Sequence, residues 1–126
     1  MDVKFFKCMH CGNVVVKVFD QGVPVSCCGE NMVELHANDT DGAREKHVPQ
    51  VSVEGNAVTV KVGEVAHPMT EPHFITMIVL VTKKGYQIVP LAPADAPEVT
   101  FAVAEGDEPV RAYEYCNLHG LWVAEI

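Results

Sequence analysis

The sequence has no basic run and no long apolar stretch. Its 17 acidic residues outnumber 9 basic ones and give a formal net charge of -8, whereas a nucleic-acid backbone is bound through clustered positive charge. No window approaches the roughly 18 apolar residues that span a bilayer, and the first seven residues contain no signal-peptide core. We therefore expect no nucleic-acid partner, no membrane partner and a cytoplasmic location.

A sustained helical period is also absent. Beyond residue 50 the chain shows short runs of β-forming residues, each bounded by Gly, Pro, Asn or Asp. The runs cover residues 51–53, 58–62, 74–82, 86–91, 99–103 and 111–115, with hairpin turns expected at 54–56 and 83–85. Six or seven short strands with regular turns predict a mainly β protein whose larger part is an immunoglobulin-like antiparallel β-sandwich.

The cysteines and histidines divide the chain into two parts. Four of the five cysteines lie in the first 28 residues. Four of the six histidines lie beyond residue 40, and these four are the candidate ligands. The polar stretch 37–43 is the best linker candidate. We predict a small module over residues 1–37, with one clear strand at 13–19, and a second domain over residues 38–126. A module below roughly 40 residues needs a metal or a partner to be stable.

The early cysteines form two close pairs, and a glycine follows each pair. They are Cys8, Cys11, Cys27 and Cys28. This spacing predicts a tetrahedral four-sulfur site for zinc or iron, and a zinc site that only stabilises the module is equally open. Two disulfides are disfavoured because the adjacent Cys27 and Cys28 are poorly placed to bridge each other. His10 stays outside a shell that four sulfurs already fill, and His36 has no assigned role.

The later part of the chain contains a second set of candidate ligands. They are His47, His67, His73, Cys116 and His119, and prolines stiffen the chain near the first three. Four neutral imidazoles and one thiolate are too many for tetrahedral zinc and one short of an octahedron. A thiolate opposite an open position favours iron and redox chemistry on a small oxygen species. The competing interpretation, a protease-type Cys116–His119 pair, leaves three histidines unused.

Taken together, these motifs resemble the desulfoferrodoxin family, the two-iron class of superoxide reductase. The resemblance covers nearly the whole chain: both cysteine pairs, the segment 43–49 around His47, the His67-Pro68-Met69 motif with His73, and the segment 116–122. It implies a rubredoxin-like iron on the four cysteines of a desulforedoxin-like module. It also implies a catalytic iron with four equatorial histidines and an axial cysteine, hence two iron ions per chain, in a homodimer served by a rubredoxin-like electron donor.

The same resemblance implies an activity, the one-electron reduction of superoxide to hydrogen peroxide without formation of dioxygen. Lys46 would steer the anion and aid proton delivery through water, and Glu45 would become a sixth ligand once product has left. The alternative for these two residues is a solvated charged loop. Two alternatives for the whole chain belong to other classes: a non-enzymatic electron-transfer metalloprotein, and a zinc-stabilised binding protein.

Overall fold

The computed structural model describes residues 3–40 and 42–126. The chain divides into two compact units, one ending at His36 and the other beginning at Ala37. Asp41, in the predicted linker, lies outside the described residues, as do Met1 and Asp2 at the start of the segment inspected for a signal peptide. No helix in the described ranges is long and apolar enough to cross a membrane.

The described residues of the first unit form five short antiparallel strands. They are β1 (Phe5–Lys7), β2 (Val14–Val16), β3 (Ser26–Cys27), β4 (Glu30–Asn31) and β5 (Val33–Glu34). They form a three-stranded sheet in the order β2-β1-β5 and a separate β3-β4 hairpin. The strand predicted at 13–19 is shorter, and its partner β1 was not predicted. Val3, Phe5, Cys8 and Met32 are its buried apolar residues among those described, so the apolar core of this unit is small.

In the second unit, residues 37–40 and 42–126 are described, and they form one short helix and seven strands. They are α1 (Arg44–His47), β6 (Pro49–Glu54), β7 (Ala57–Val62), β8 (Ile75–Thr82), β9 (Gly85–Pro90), β10 (Glu98–Ala102), β11 (Pro109–Cys116) and β12 (Gly120–Glu125). One sheet has the order β10-β7-β6 and the other β12-β11-β8-β9, and every pairing is antiparallel. The predicted mainly β sandwich is confirmed; α1 and β12 are additions to the prediction.

The two sheets of this unit pack face to face through alternating apolar residues. In β7, Val58, Val60 and Val62 are almost fully buried, and they pack with Ile78 and Leu80 of the other sheet. Burying such side chains stabilises the fold by about 1.5–3 kcal/mol each. The sandwich is therefore a firm support for the connections at its end: α1 before β6, the loop between β7 and β8, and the turn between β11 and β12.

Candidate metal centres

Three connections of the second unit bring the five predicted ligands together. His47 ends α1, His67 and His73 lie between β7 and β8, Cys116 ends β11, and His119 lies in the next turn. One ligand atom from each of these side chains lies within 4.8 Å of the others. The three histidines that a protease-type pair would leave unused belong to the same cluster.

A register shift in β11 and the side chain of Asn117 position the turn that follows Cys116. The pairing of β11 with β8 shifts register between Tyr115 and Cys116, and such bulges re-aim side chains near functional sites. The Asn117 amide accepts from the Phe74 N–H at 3.0 Å and donates to the Pro72 carbonyl at 3.1 Å. Asn117 was not among the residues predicted to form the site. Its side chain ties the turn after Cys116 to the loop that carries His73.

The four imidazoles form a closed ring. His47 contacts His67 with centroids 4.7 Å apart, His67 contacts His73 at 4.7 Å, His73 contacts His119 at 5.0 Å, and His119 contacts His47 at 4.8 Å. Each pair of neighbouring rings is inclined by 70–78°. This arrangement directs the four rings around one central point.

Hydrogen bonds determine which nitrogen of two histidines faces that point. The Nδ1–H of His47 donates to the Ala43 carbonyl and that of His67 to the Pro68 carbonyl, both at 2.7 Å. A carbonyl only accepts, so each Nε2 presents a lone pair, and these two nitrogens are 3.1 Å apart. Two lone pairs at this distance repel unless a cation lies between them. Adjacent ligands at about 2.1 Å from a metal would be separated by about 3 Å.

Burial keeps the cluster ready to bind a cation. It lowers the pKa of His67 to about 4 and also lowers the pKa of His47 and His73, so these rings are neutral at pH 7, the form that binds metal. The buried Nε2 of His73 has no hydrogen-bond partner in the part of the chain that the structure describes. Burial raises the pKa of the Cys116 thiol, and a bound cation reverses this by stabilising the thiolate. The donor set fits a metal ion.

Trp122 supports two of the ligands and was recognised in the sequence only as part of a motif. Its ring stacks on His47 at 5.1 Å and 22°, and its Nε1–H donates to the His119 carbonyl at 3.1 Å. The Arg44 guanidinium lies 5.9 Å from the Trp122 ring centroid. Partners of this kind hold ligand rings in their orientation.

Glu45 and Lys46 are both exposed on α1. After burial, which is the largest cause, the charge of Lys46 contributes to the lowered pKa of His47 and His73. The field of this lysine therefore reaches the cluster. Among the described residues the cluster consists of the four histidines and the cysteine, without the carboxylate of Glu45.

Glu114 is a buried acid on the strand that carries Cys116. Its side chain is fully buried, neither carboxyl oxygen has a hydrogen-bond partner among the described residues, and burial raises its pKa well above the usual range. Glu114 was not among the predicted site residues. The available signal was its strand register, since Glu114 is in phase with the inward-facing Ala112 and Cys116.

The four cysteines of the first unit also converge. Their sulfurs lie within 4.8 Å of one another, with Cys11 and Cys27 at 3.7 Å and Cys27 and Cys28 at 4.0 Å. All four are free thiols, so the disulfide alternative does not occur here. Sulfurs at about 2.3 Å from a tetrahedral metal would be about 3.8 Å apart. The observed spacing fits that geometry.

Hydrogen bonds make Cys8 and Cys28 unequal in acidity. A bond from the Cys11 backbone N–H, at 3.4 Å, is the main reason that the pKa of Cys8 falls to about 6. Hydrogen bonds with Cys8 and Cys11 raise the pKa of Cys28 to about 12. Crowded thiols lose their protons together only when a cation balances their charge. The His10 side chain is not part of this cluster among the described residues, and its Nε2 lies 3.1 Å from Glu30 Oε1.

The two donor sets, four sulfurs in one unit and four imidazoles with one sulfur in the other, fit two iron centres. The model of the family described as Desulfoferrodoxin matches residues 39–125. A desulfoferrodoxin from Nitratidesulfovibrio vulgaris is 45% identical over 122 residues, covering 97% of this chain and 95% of that protein.

The chain is also similar to solved structures of superoxide reductases. The superoxide reductase from Treponema pallidum is 41% identical, with a TM-score of 0.84 over 98% of each chain. The superoxide reductase (1Fe-SOR) from Giardia intestinalis is 34% identical, with a TM-score of 0.57 over 65% of this chain and 97% of that one. With a family model matched over residues 39–125 and a relative at 45% identity along nearly the whole chain, the protein belongs to the desulfoferrodoxin family.

Proposed function

We propose that this chain is a superoxide reductase. The observation that carries the proposal is the closed ring of four imidazoles beside one buried thiol, because this donor set suits a redox-active iron. Iron bound there supplies the single electron that, with two protons, converts superoxide to hydrogen peroxide. The likeness to proteins named superoxide reductase supports the same activity.

The site roles proposed for the chain follow its two donor sets. Cys8, Cys11, Cys27 and Cys28 hold one iron in a module over residues 1–37. The other iron is held by His47, His67, His73, His119 and Cys116 in a catalytic domain over residues 38–126. The Nδ1–H bonds of His47 and His67 to backbone carbonyls keep both Nε2 atoms directed at the metal. Trp122, which stacks on His47, excludes water from that face of the His47 ring.

Lys46 is proposed to attract the substrate. The net charge of -8 repels an anion, so capture requires a local positive field, and charge steering raises association rates by about 10–10³-fold. Lys46 is exposed and directly precedes the ligand His47. After burial, its positive charge is one of the causes that lower the pKa of His47 and His73. Lys46 would also aid proton delivery through water, and Glu45, one residue earlier, would serve as a further ligand to the iron after product release.

The activity is tested on the purified, iron-loaded protein. We expect superoxide to be consumed with hydrogen peroxide formed and no dioxygen evolved, at a rate that falls as ionic strength rises. Lys46→Ala should lower the second-order rate about tenfold, the lower end of the range for charge steering, and flatten its salt dependence. A protein that transfers electrons without consuming superoxide, or that contains only zinc and is colourless, would contradict the proposal.

We also propose a homodimer, a rubredoxin-like electron donor and a cytoplasmic location. The first unit exposes 84% of Val18, 78% of Phe19 and 66% of Val23, an apolar surface that a second copy of the chain would cover. Free thiols at both donor sets suit a reducing compartment. Phe19→Asp should shift the sedimenting mass toward the monomer, and an unchanged mass would reject this surface as the dimer contact.

A further inference from the structure

Gly63, the buried residue after β7, lies against the backbone that carries Glu45 and Lys46. A Cβ atom at Gly63 would be 2.6 Å from the Lys46 carbonyl oxygen and 2.7 Å from the Glu45 carbonyl oxygen. Real Cβ atoms essentially never approach that closely. The φ of Gly63 is +79°, which side-chain-bearing residues rarely adopt. Two independent constraints therefore require glycine at this position.

The turn formed by residues 63–65 also hydrogen-bonds both ends of the same backbone. The Gly63 N–H donates to the Val48 carbonyl at 3.1 Å, and the Val65 N–H donates to the Glu45 carbonyl at 2.9 Å. Helix α1 is only four residues long, Arg44–His47, and a helix of one turn has no independent stability in water. The 63–65 turn is thus an external support for the conformation of α1.

We propose that the 63–65 turn positions Lys46 for superoxide capture, with the missing side chain of Gly63 as its essential feature. This inference rests on the steering role proposed for Lys46. Because the turn contacts the carbonyl groups of Glu45 and Lys46, any displacement there moves the Lys46 side chain relative to the histidine cluster. Gly63 acts only through α1 and is a positioning residue.

Gly63→Ala tests this role because the added methyl group meets backbone atoms, which cannot rotate away. Gly55→Ala is the matched control. Gly55 also has a positive φ, +62°, yet a Cβ there would meet nothing within 4 Å. It lies in the turn between β6 and β7, at the other end of the strand that leads to Gly63. The control therefore reproduces the backbone strain without the crowding.

We expect Gly63→Ala to retain iron and the visible spectrum of the histidine centre. Its second-order rate with superoxide should fall roughly three- to tenfold, up to the loss expected for Lys46→Ala, and the salt dependence should become shallower. Gly55→Ala should match the parent protein in both measurements. In the double variant Gly63→Ala/Lys46→Ala, the rate should equal that of Lys46→Ala within about twofold, because both changes remove the same interaction.

The outcomes separate this inference from the proposal on which it rests. If Lys46→Ala alters rate and salt dependence but Gly63→Ala alters neither, the positioning role is overturned and the steering role stands. If Lys46→Ala alters neither, both are overturned. Additive losses in the double variant would also overturn the positioning role. If Gly63→Ala does not fold, Val65→Pro, which removes the N–H donated to the Glu45 carbonyl and fixes the φ of residue 65, gives the same measurement at an exposed position.

Discussion

Replacing Asn117 with alanine should lower both the stability of the fold and the iron affinity of the histidine centre. The change removes two hydrogen bonds, from Phe74 N–H and to the Pro72 carbonyl. At about 1 kcal/mol each, the free energy of unfolding should fall by about 2 kcal/mol. Both bonds hold the loop carrying His73 against the turn that follows Cys116. Loss of such a supporting partner typically reduces metal affinity by about 10–100-fold.

The measurement is iron retained at the histidine centre during equilibration with increasing chelator, followed by the visible band of the oxidised protein. Gln87→Ala is the matched control, since it removes one amide hydrogen bond, to the Ala102 carbonyl at 2.9 Å, between β9 and β10. It should lose about 1 kcal/mol of stability and no iron affinity. Equal chelator midpoints for Asn117→Ala and the parent would refute the reasoning, as would an equal loss of iron in both variants.

Three further predictions concern other parts of the molecule. Cys116→Ser should abolish the visible band of the oxidised catalytic centre and the activity, since a hydroxyl does not replace a soft thiolate; retention of both would reject Cys116 as a ligand. Replacing Cys27 and Cys28 with serine should remove one iron per chain and loosen the first unit while superoxide reduction with an external reductant persists; loss of both irons would contradict independent sites. Glu114→Gln should remove the part of the pH dependence of stability that comes from the Glu114 carboxyl group. Burial raises the folded-state pKa of this acid, so the folded protein keeps a proton that the unfolded chain loses. The free energy of unfolding therefore falls as the pH rises above about 4.5, by about 1.4 kcal/mol per pH unit. The fall ends once the pH has passed the folded-state pKa. Parallel urea-unfolding profiles for the two proteins between pH 5 and 8 would exclude this.

Much of the fold could be predicted because its signals are local. The alternation of Val58, Val60 and Val62 with polar residues is a property of five consecutive positions, and it predicted β7 to within one residue. Strand β12 was missed because its start, Gly120 to Trp122, belongs to a ligand motif that was interpreted only as chemistry. Helix α1 was missed because one helical turn has no periodicity to detect.

The sequence by itself determined the nine candidate ligands, since cysteine pairs before glycine and histidines beside proline are recognisable within a few residues. It also determined the mainly β class. Tertiary structure alone decided which distant parts of the chain meet. Asn117 contacts the loop that carries His73, Gly63 contacts the backbone of Lys46, and Glu114 is buried inside the second unit. Such contacts depend on strand register and on bulges between segments far apart in the chain, and local patterns contain no information about that pairing.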